Sequence, residues 1–109
     1  MPKLAELDTT RLREATGEAA ALLRGLGNED RLLLLCELSQ AELCVGELAE
    51  RTGIAQPTLS QQLAVLRAQE LVSTRRDGKQ IFYAIAERNV LEILKVLYRM
   101  YCGKARRAG

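Results

Sequence analysis

A stretch near the middle of the chain, residues 54–67, limits the possible folds most strongly. Leu59, Leu63 and Leu66 lie at i, i+4 and i+7 and form one apolar helix face. Gly53 suits a left-handed position that ends a preceding helix, and Pro57 fits the first turn of a new one. A helix is therefore expected to begin near Gln56.

The opposite face of this helix is uncharged and made of small or hydrogen-bonding side chains. It carries Thr58, Gln61 and Ala64, with Ser60 on the flank. Hydroxyls and amides can donate and accept hydrogen bonds at base edges and phosphates, and a small residue such as Ala64 lets the backbone come close. The pattern indicates a DNA recognition helix, although a solvated amphipathic helix would share it.

Apolar spacing and capping residues predict two helices before this stretch. The first is expected from about Thr10, and Gly25 and Gly27 end it. Asn28 is a good N-cap for the second. The run Arg31–Leu38 contains five Leu and is apolar all round, so it is expected to be a buried central helix.

A short third helix is expected over about Val45–Thr52, with Leu48 and Ala49 facing inward. This helix, the turn at Gly53 and the helix that follows have the proportions of a helix-turn-helix. In that motif the second helix enters the major groove of DNA.

A β-hairpin is expected after the recognition helix. Two strand-like runs, residues 71–76 and 79–85, flank Asp77-Gly78, which is a strong short hairpin signal. In a two-residue hairpin Arg76 would lie opposite Lys79, and a phosphate would relieve their repulsion. The hairpin is interpreted as a β-wing, with an ordinary soluble hairpin tip as the alternative.

The last helix, about Arg88–Cys102, has apolar side chains over more than half of its circumference. A helix that packs only against its own core would need fewer apolar side chains. The excess indicates that a second subunit packs against this helix and the first helix. A two-fold dimer would present two recognition helices to a pseudo-palindromic site. The predicted fold is mainly α with a small β-hairpin wing: a winged helix-turn-helix, homodimeric through its first and last helices.

The composition agrees with one small domain. We expect a flexible N-terminus over 1–9, the DNA-binding and dimerisation domain over 10–102, and a flexible basic tail over 103–109. Net charge is −4 up to residue 54 and +6 beyond it, so positive charge collects with the DNA-reading elements. With no signal peptide and no membrane-length apolar run, the chain is expected to be soluble and cytoplasmic, without membrane contact.

Four segments resemble the ArsR/SmtB family of dimeric winged-helix repressors, in order and in register. They are residues 28–32, 42–48, 56–63 and 76–83, and the resemblance extends over about residues 15–102. It implies that an inducer loosens the grip of the dimer on its operator.

Metal sensing, the best-known use of that family, has little support here. The chain has no His, which removes the commonest ligand for zinc, nickel or cobalt. The positions at which SmtB-like sensors place their last-helix ligands hold Glu87, Asn89, Met100 and Gly103. Arsenic sensors carry Cys-Val-Cys, whereas this chain has Cys44-Val45-Gly46, so Cys44 is interpreted as a small buried hydrophobe. Neither a metal site nor a cofactor is predicted.

Cys36 and Cys102 resemble the thiol pair of the BigR/SqrR/HlyU-type branch, a group that looks persulfide-responsive. The resemblance implies that reactive sulfur species join the two thiols in a disulfide or polysulfide bridge, which releases operator DNA. Lys95 and Arg99 should favour a Cys102 thiolate, whereas the helix C-terminus opposes it. The alternatives are a soft-metal sensor for As(III), Cd(II) or Hg(II) that uses all three thiols, and a general thiol redox or peroxide sensor.

Two groups of side chains are predicted to contact DNA. The wing is expected to act mainly on phosphates or the minor groove through Arg75, Arg76 and Lys79. The recognition helix is expected to contribute Gln56, Thr58, Ser60, Gln61 and Gln62. An enzyme is not expected, because the chain has no Cys-x-x-Cys, no His base and no phosphate-binding glycine loop. A winged helix that binds only proteins is the remaining alternative.

Overall fold

The computed structural model describes residues 8–103. Within these residues, five helices and three short strands form a winged helix-turn-helix, as the sequence predicts. The elements are α1 (Thr9–Leu26), α2 (Glu29–Leu38), β1 (Leu43–Cys44), α3 (Val45–Thr52), α4 (Thr58–Ala68), β2 (Val72–Asp77), β3 (Gln80–Ile85) and α5 (Arg88–Tyr98). A π-helical turn, Arg99–Gly103, extends α5. The predicted flexible ends lie outside the described residues, except for their innermost positions.

Local capping sets the helix ends. The Asn28 side chain accepts a hydrogen bond from the backbone N–H of Arg31 at 2.9 Å and starts α2, as expected. Asp8 caps α1 in the same way, so α1 begins one residue before the predicted Thr10. Gly53 has φ of 73° and ends α3 in the left-handed conformation that its lack of a β-carbon allows.

The sheet contains a strand that the sequence analysis missed. The strand order is β1-β3-β2, with both pairs antiparallel, and Leu43 and Cys44 of β1 pair with Tyr83 and Phe82 of β3. A two-residue strand is too short to show an alternating pattern. It nevertheless anchors the start of α3, and therefore the helix-turn-helix, to the wing.

The predicted register of the hairpin is wrong. Asp77 pairs with Gln80, so the two-residue turn is Gly78-Lys79 and Arg76 lies opposite Ile81 rather than Lys79. Gly78 has φ of 66°. A hairpin turn with glycine at its first central position satisfies this geometry, which explains why the turn begins at Gly78 and not at Asp77.

The core lies among α2, α3, α4 and α5. Its fully buried large side chains are Leu34, Leu35, Leu48, Leu59, Leu63, Leu66 and Val90. The apolar face predicted for the recognition helix is therefore confirmed. The expectation that α2 is buried all round is wrong within this chain, because Leu33 is 39% exposed and Cys36 is exposed as well. These two residues face a groove beside α5 instead of the core.

Several large apolar side chains lie exposed outside the core. They are Leu23 on α1 and, on α5 and its π-helical turn, Val96, Tyr98, Met100 and Tyr101. Tyr98, Met100 and Tyr101 are each about two-thirds exposed, at 65%, 64% and 70%. Exposed apolar residues concentrated at one helix end, as over residues 96–101, are typical of a surface that a partner covers.

Candidate DNA interface and thiol groove

The recognition helix α4 begins at Thr58, two residues later than the sequence analysis placed it. Gln56 and Pro57 form a turn ahead of it, in which the carbonyls of Ala55 and Pro57 accept from the backbone N–H groups of Leu59 and Gln61 at 3.0 Å each. Pro57 thus precedes the first helical residue, where its missing N–H leaves no bond unmade.

The predicted contact residues of this segment form one polar surface. Gln56, Ser60 and Gln61 are exposed and Thr58 is half-buried. The Ser60 hydroxyl donates to the side-chain oxygen of Gln56 at 2.6 Å, which joins the turn to the helix. The arrangement offers both donors and acceptors at the front of α4, as direct reading of base edges requires.

Gln62 differs from these neighbours because its side chain is half-buried and tied to α2. Arg31 Nη1 donates to Gln62 Oε1 at 2.8 Å. The same guanidinium donates from Nε to the carbonyl of Gly25 and from Nη2 to that of Arg24, both at 2.8 Å. Arg31 was not predicted from the sequence; the available signal was a cation directly before a run of four leucines.

On the wing, Arg75 is engaged within the chain. Its Nε and Nη2 atoms donate to the two carboxylate oxygens of Glu42 at 2.7 and 2.8 Å, and its guanidinium lies 4.8 Å from the centre of the Phe82 ring. The hydrogen bonds from Arg75 lower the pKa of the Glu42 carboxyl. Arg75 is therefore a less available phosphate ligand than the sequence suggested, and Glu42 is a partner that the sequence did not reveal.

Arg76 and Lys79 are exposed near the tip of the wing. Within residues 8–103 neither forms an ion pair. Arg67, on the last turn of α4, is a further exposed cation that the sequence analysis did not single out. It lines a hollow of about 370 Å³ with Ser60 and Ala64 of α4 and Tyr83 of β3.

Cys36 and Cys102 open on one groove between α2 and the end of α5. The groove has a volume of about 870 Å³ and is lined by both thiols, by Leu33, Leu91, Leu94 and Tyr98, and by polar residues that include Glu37, Arg51 and Lys95. Both thiols are exposed and reduced. Cys44 is buried in β1, as expected, and its backbone N–H donates to Glu47 at 3.0 Å.

Partial burial raises the pKa of the Cys36 thiol, with smaller contributions from the neighbouring Cys102 and Glu37. Since the thiolate is the nucleophile in sulfur exchange, this raised pKa makes Cys36 a poor first nucleophile at neutral pH.

Among residues 8–103 no three His, Cys, Asp or Glu side chains are grouped closely enough to hold a metal ion. The three thiols therefore do not form the cluster that the soft-metal alternative would use. No helix between residues 8 and 103 has both the length and the apolarity to cross a membrane.

The fold and this surface define a DNA-binding transcriptional regulator of the winged helix-turn-helix class. Residues 28–74 match the family described as bacterial regulatory protein, arsR family. The chain belongs to that family, and it is a transcriptional repressor of the ArsR/BigR/HlyU type rather than an enzyme.

Individual relatives match over most of the chain. The biofilm growth-associated repressor of Xylella fastidiosa (strain 9a5c) is 43% identical over 97 residues, which cover 89% of this chain and 85% of the relative. The transcriptional activator HlyU of Vibrio cholerae is 38% identical over 104 residues, covering 94% and 96%. The crystal structure of the repressor BigR from Xylella fastidiosa superposes with a TM-score of 0.81 at 43% identity, covering 88% of this chain and 98% of that one.

Proposed function

We propose that this repressor senses reactive sulfur species through Cys36 and Cys102, and that a bridge between the two thiols releases operator DNA. The observation that carries the proposal is the shared groove, on which both thiols open from different helices. A bridge there would join α2 to the end of α5. Cys44, buried in β1, has no part in it.

The first step is a sulfur transfer to Cys102. Its thiolate attacks the terminal sulfur of an organic persulfide, RSSH; Cys102 becomes a persulfide and RS⁻ leaves. We assign this attack to Cys102 because burial raises the pKa of Cys36 and lowers its thiolate fraction. Leu33, Leu91 and Leu94 form the apolar part of the groove around the intermediate.

The second step closes the bridge. The Cys36 thiolate attacks the inner sulfur of the Cys102 persulfide, which forms a disulfide and expels HS⁻. If Cys36 has itself first accepted a sulfur from RSSH, its terminal sulfur makes the same attack and gives a trisulfide and HS⁻. A plain disulfide requires Cα atoms about 4.4 to 6.8 Å apart, and each added sulfur widens that range. A separation of the two Cα atoms beyond that range would favour polysulfide donors over peroxide.

The bridge would act on DNA through the dimer. We infer that a second copy covers the apolar surface formed by Leu23, Val96, Tyr98, Met100 and Tyr101. Drawing the end of α5 toward α2 changes that surface and with it the spacing of the two recognition helices. A tenfold loss of affinity requires the bridge to favour the DNA-incompetent state by only about 1.4 kcal/mol.

On the DNA side, the recognition contacts are assigned to one surface at the front of α4. They come from Gln56, Thr58, Ser60, Gln61 and Gln62. Arg76 and Lys79 would contact phosphates or the minor groove, and Arg75 would join them only by leaving Glu42. The site of action is the cytoplasm, where the operator DNA of a bacterial regulator lies.

The test combines DNA release with mass spectrometry. A duplex selected from a random library by the reduced protein is followed by fluorescence anisotropy while cysteine persulfide, hydrogen peroxide or Cd(II) is added. Persulfide should release the wild type and the control variant Cys44→Ser, but neither Cys36→Ser nor Cys102→Ser. The released protein should show whole-sulfur mass gains that span both cysteine peptides.

If persulfide released Cys36→Ser or Cys102→Ser from DNA as it releases the wild type, the bridge mechanism would be excluded. Release by Cd(II) alone would favour the soft-metal alternative, and equal release by peroxide would favour a general thiol switch.

A further inference from the structure

We infer that Gln62 acts on DNA as a hydrogen-bond donor, and that Arg31 is the positioning residue that imposes this polarity. The inference rests on the proposed recognition surface, and it adds the orientation of one amide group in that surface. Gln62 Oε1 accepts from Arg31 Nη1 at 2.8 Å. Within residues 8–103 the amide nitrogen of Gln62 donates to no other group.

The orientation of this amide follows from the chemistry of its partner. A guanidinium has five N–H donors and no acceptor, so only the oxygen of Gln62 can face it. Gln56 does not allow the same conclusion. Its partner is the Ser60 hydroxyl, which can donate or accept and therefore permits either orientation of the amide.

Arg31 is itself held in place. Its Nε and Nη2 atoms donate to the carbonyls of Gly25 and Arg24, among the last carbonyls of α1, which have no partner within the helix. The guanidinium also lies at the negative end of the α1 dipole. A planar group fixed by two carbonyls has little freedom to release the third acceptor, so the Gln62 amide cannot readily turn over.

The consequence is a restriction on what Gln62 can read. A free glutamine recognises adenine by donating to N7 and accepting from N6 together. With its oxygen directed at Arg31, Gln62 is left to offer the duplex its NH₂ group. Its target is an acceptor on the duplex, which is either a phosphate oxygen or a base-edge acceptor such as purine N7.

The test uses the reduced dimer, the duplex that the wild type selects from a random library, and a scrambled duplex of equal length. Gln62→Ala should lose about two- to tenfold in affinity for each bond removed. Gln62→Glu keeps an acceptor for Arg31 but has no donor, so it should lose at least as much. Gln40→Ala, which removes an exposed glutamine at the end of α2, serves as the control and should bind as the wild type does.

The two possible acceptors give different patterns. If Gln62 contacts a base edge, replacing single purines by 7-deazapurines should weaken the wild type at one position per half-site and leave Gln62→Ala unaffected there. If Gln62 contacts a phosphate, Gln62→Ala should lose affinity by the same factor for the selected and the scrambled duplex. Wild-type affinity of both Gln62→Ala and Gln62→Glu on both duplexes would overturn the inference.

The role of Arg31 is tested by specificity, which a loss of stability alone does not change. Arg31→Met keeps a long side chain but has no hydrogen-bond donor, so the amide is released and the ratio of selected to scrambled affinity should fall. In the Gln62→Ala background the same change should leave the ratio constant. An equal fall in both backgrounds would show that Arg31 acts without Gln62. A wild-type protein that binds neither duplex would overturn the DNA surface as a whole.

Discussion

Glu42 and Arg75 are joined by two parallel hydrogen bonds although 33 residues separate them in the chain. The pair fastens the residue before β1 to the middle of β2 and so holds the wing beside the start of the helix-turn-helix. A bidentate pair of this kind fixes the planar guanidinium in direction as well as in position. It also occupies donors that Arg75 would otherwise offer to phosphate.

Freeing Arg75 should therefore strengthen DNA binding. In Glu42→Gln the ion pair is lost, so each protomer gains a cation that phosphate can recruit. The slope of log affinity against log salt should steepen by about 2 per dimer. Fluorescence anisotropy over a salt series measures the slope, with Glu14→Gln on α1 as a control for the change in net charge. An unchanged slope would mean that Arg75 does not contact DNA phosphate even when Glu42 no longer holds it.

Arg76 and Lys79 should account for a large part of the salt dependence. With roughly six to eight phosphates neutralised per dimer, the wild-type slope should lie near −5 to −7. The double variant Arg76→Ala/Lys79→Ala removes four cations per dimer and should make the slope shallower by about 3 to 4. Arg13→Ala, on the exposed face of α1, should leave it nearly unchanged. A flat response of the wild type would contradict the assignment of the wing.

Gly25 should be intolerant of a side chain. It is buried near the end of α1, and a β-carbon there would overlap the Leu71 side chain, which is itself 4% exposed. Gly25→Ala should lower the free energy of unfolding by about 1 to 3 kcal/mol. Gly17, on the same helix, has open space around it, so Gly17→Ala should raise stability by about 0.5 to 1 kcal/mol. Urea denaturation measures the free energy of unfolding of both variants. Wild-type stability of Gly25→Ala would show that the Leu71 side chain moves to accommodate the β-carbon.

Cys36 should react slowly at neutral pH. Its pKa lies above the ordinary value of 9.0, with burial as the main cause, so the thiolate and the alkylation rate should still be rising at pH 9. In Cys102→Ser the repulsion from a neighbouring thiolate is lost, which lowers the pKa of Cys36, but burial keeps it above 9.0. Iodoacetamide labelling of the Cys36 peptide against pH measures both midpoints. A midpoint below 9 in either protein would contradict this account of the groove.

Features that depend on near neighbours in the chain were predictable. The Leu59, Leu63 and Leu66 face, the Asn28 cap and the left-handed Gly53 all follow from rules that act within a few residues. The extent of α3 was predicted to the residue for the same reason. The hairpin turn was predicted wrongly because a local signal competed with strand pairing. Asp77-Gly78 suggested one turn, but the pairing of the whole hairpin placed the turn at Gly78-Lys79.

The amino-acid sequence alone thus determined the order of the elements, the apolar faces that make the core and the family to which the chain belongs. Tertiary structure decided which polar groups meet. Arg31 reaches Gln62 across 31 residues, Glu42 engages the guanidinium of Arg75, and Cys36 shares a groove with Cys102. Such contacts depend on how whole helices and strands pack, because a helix period states which face a residue occupies but not which distant residue will lie opposite it.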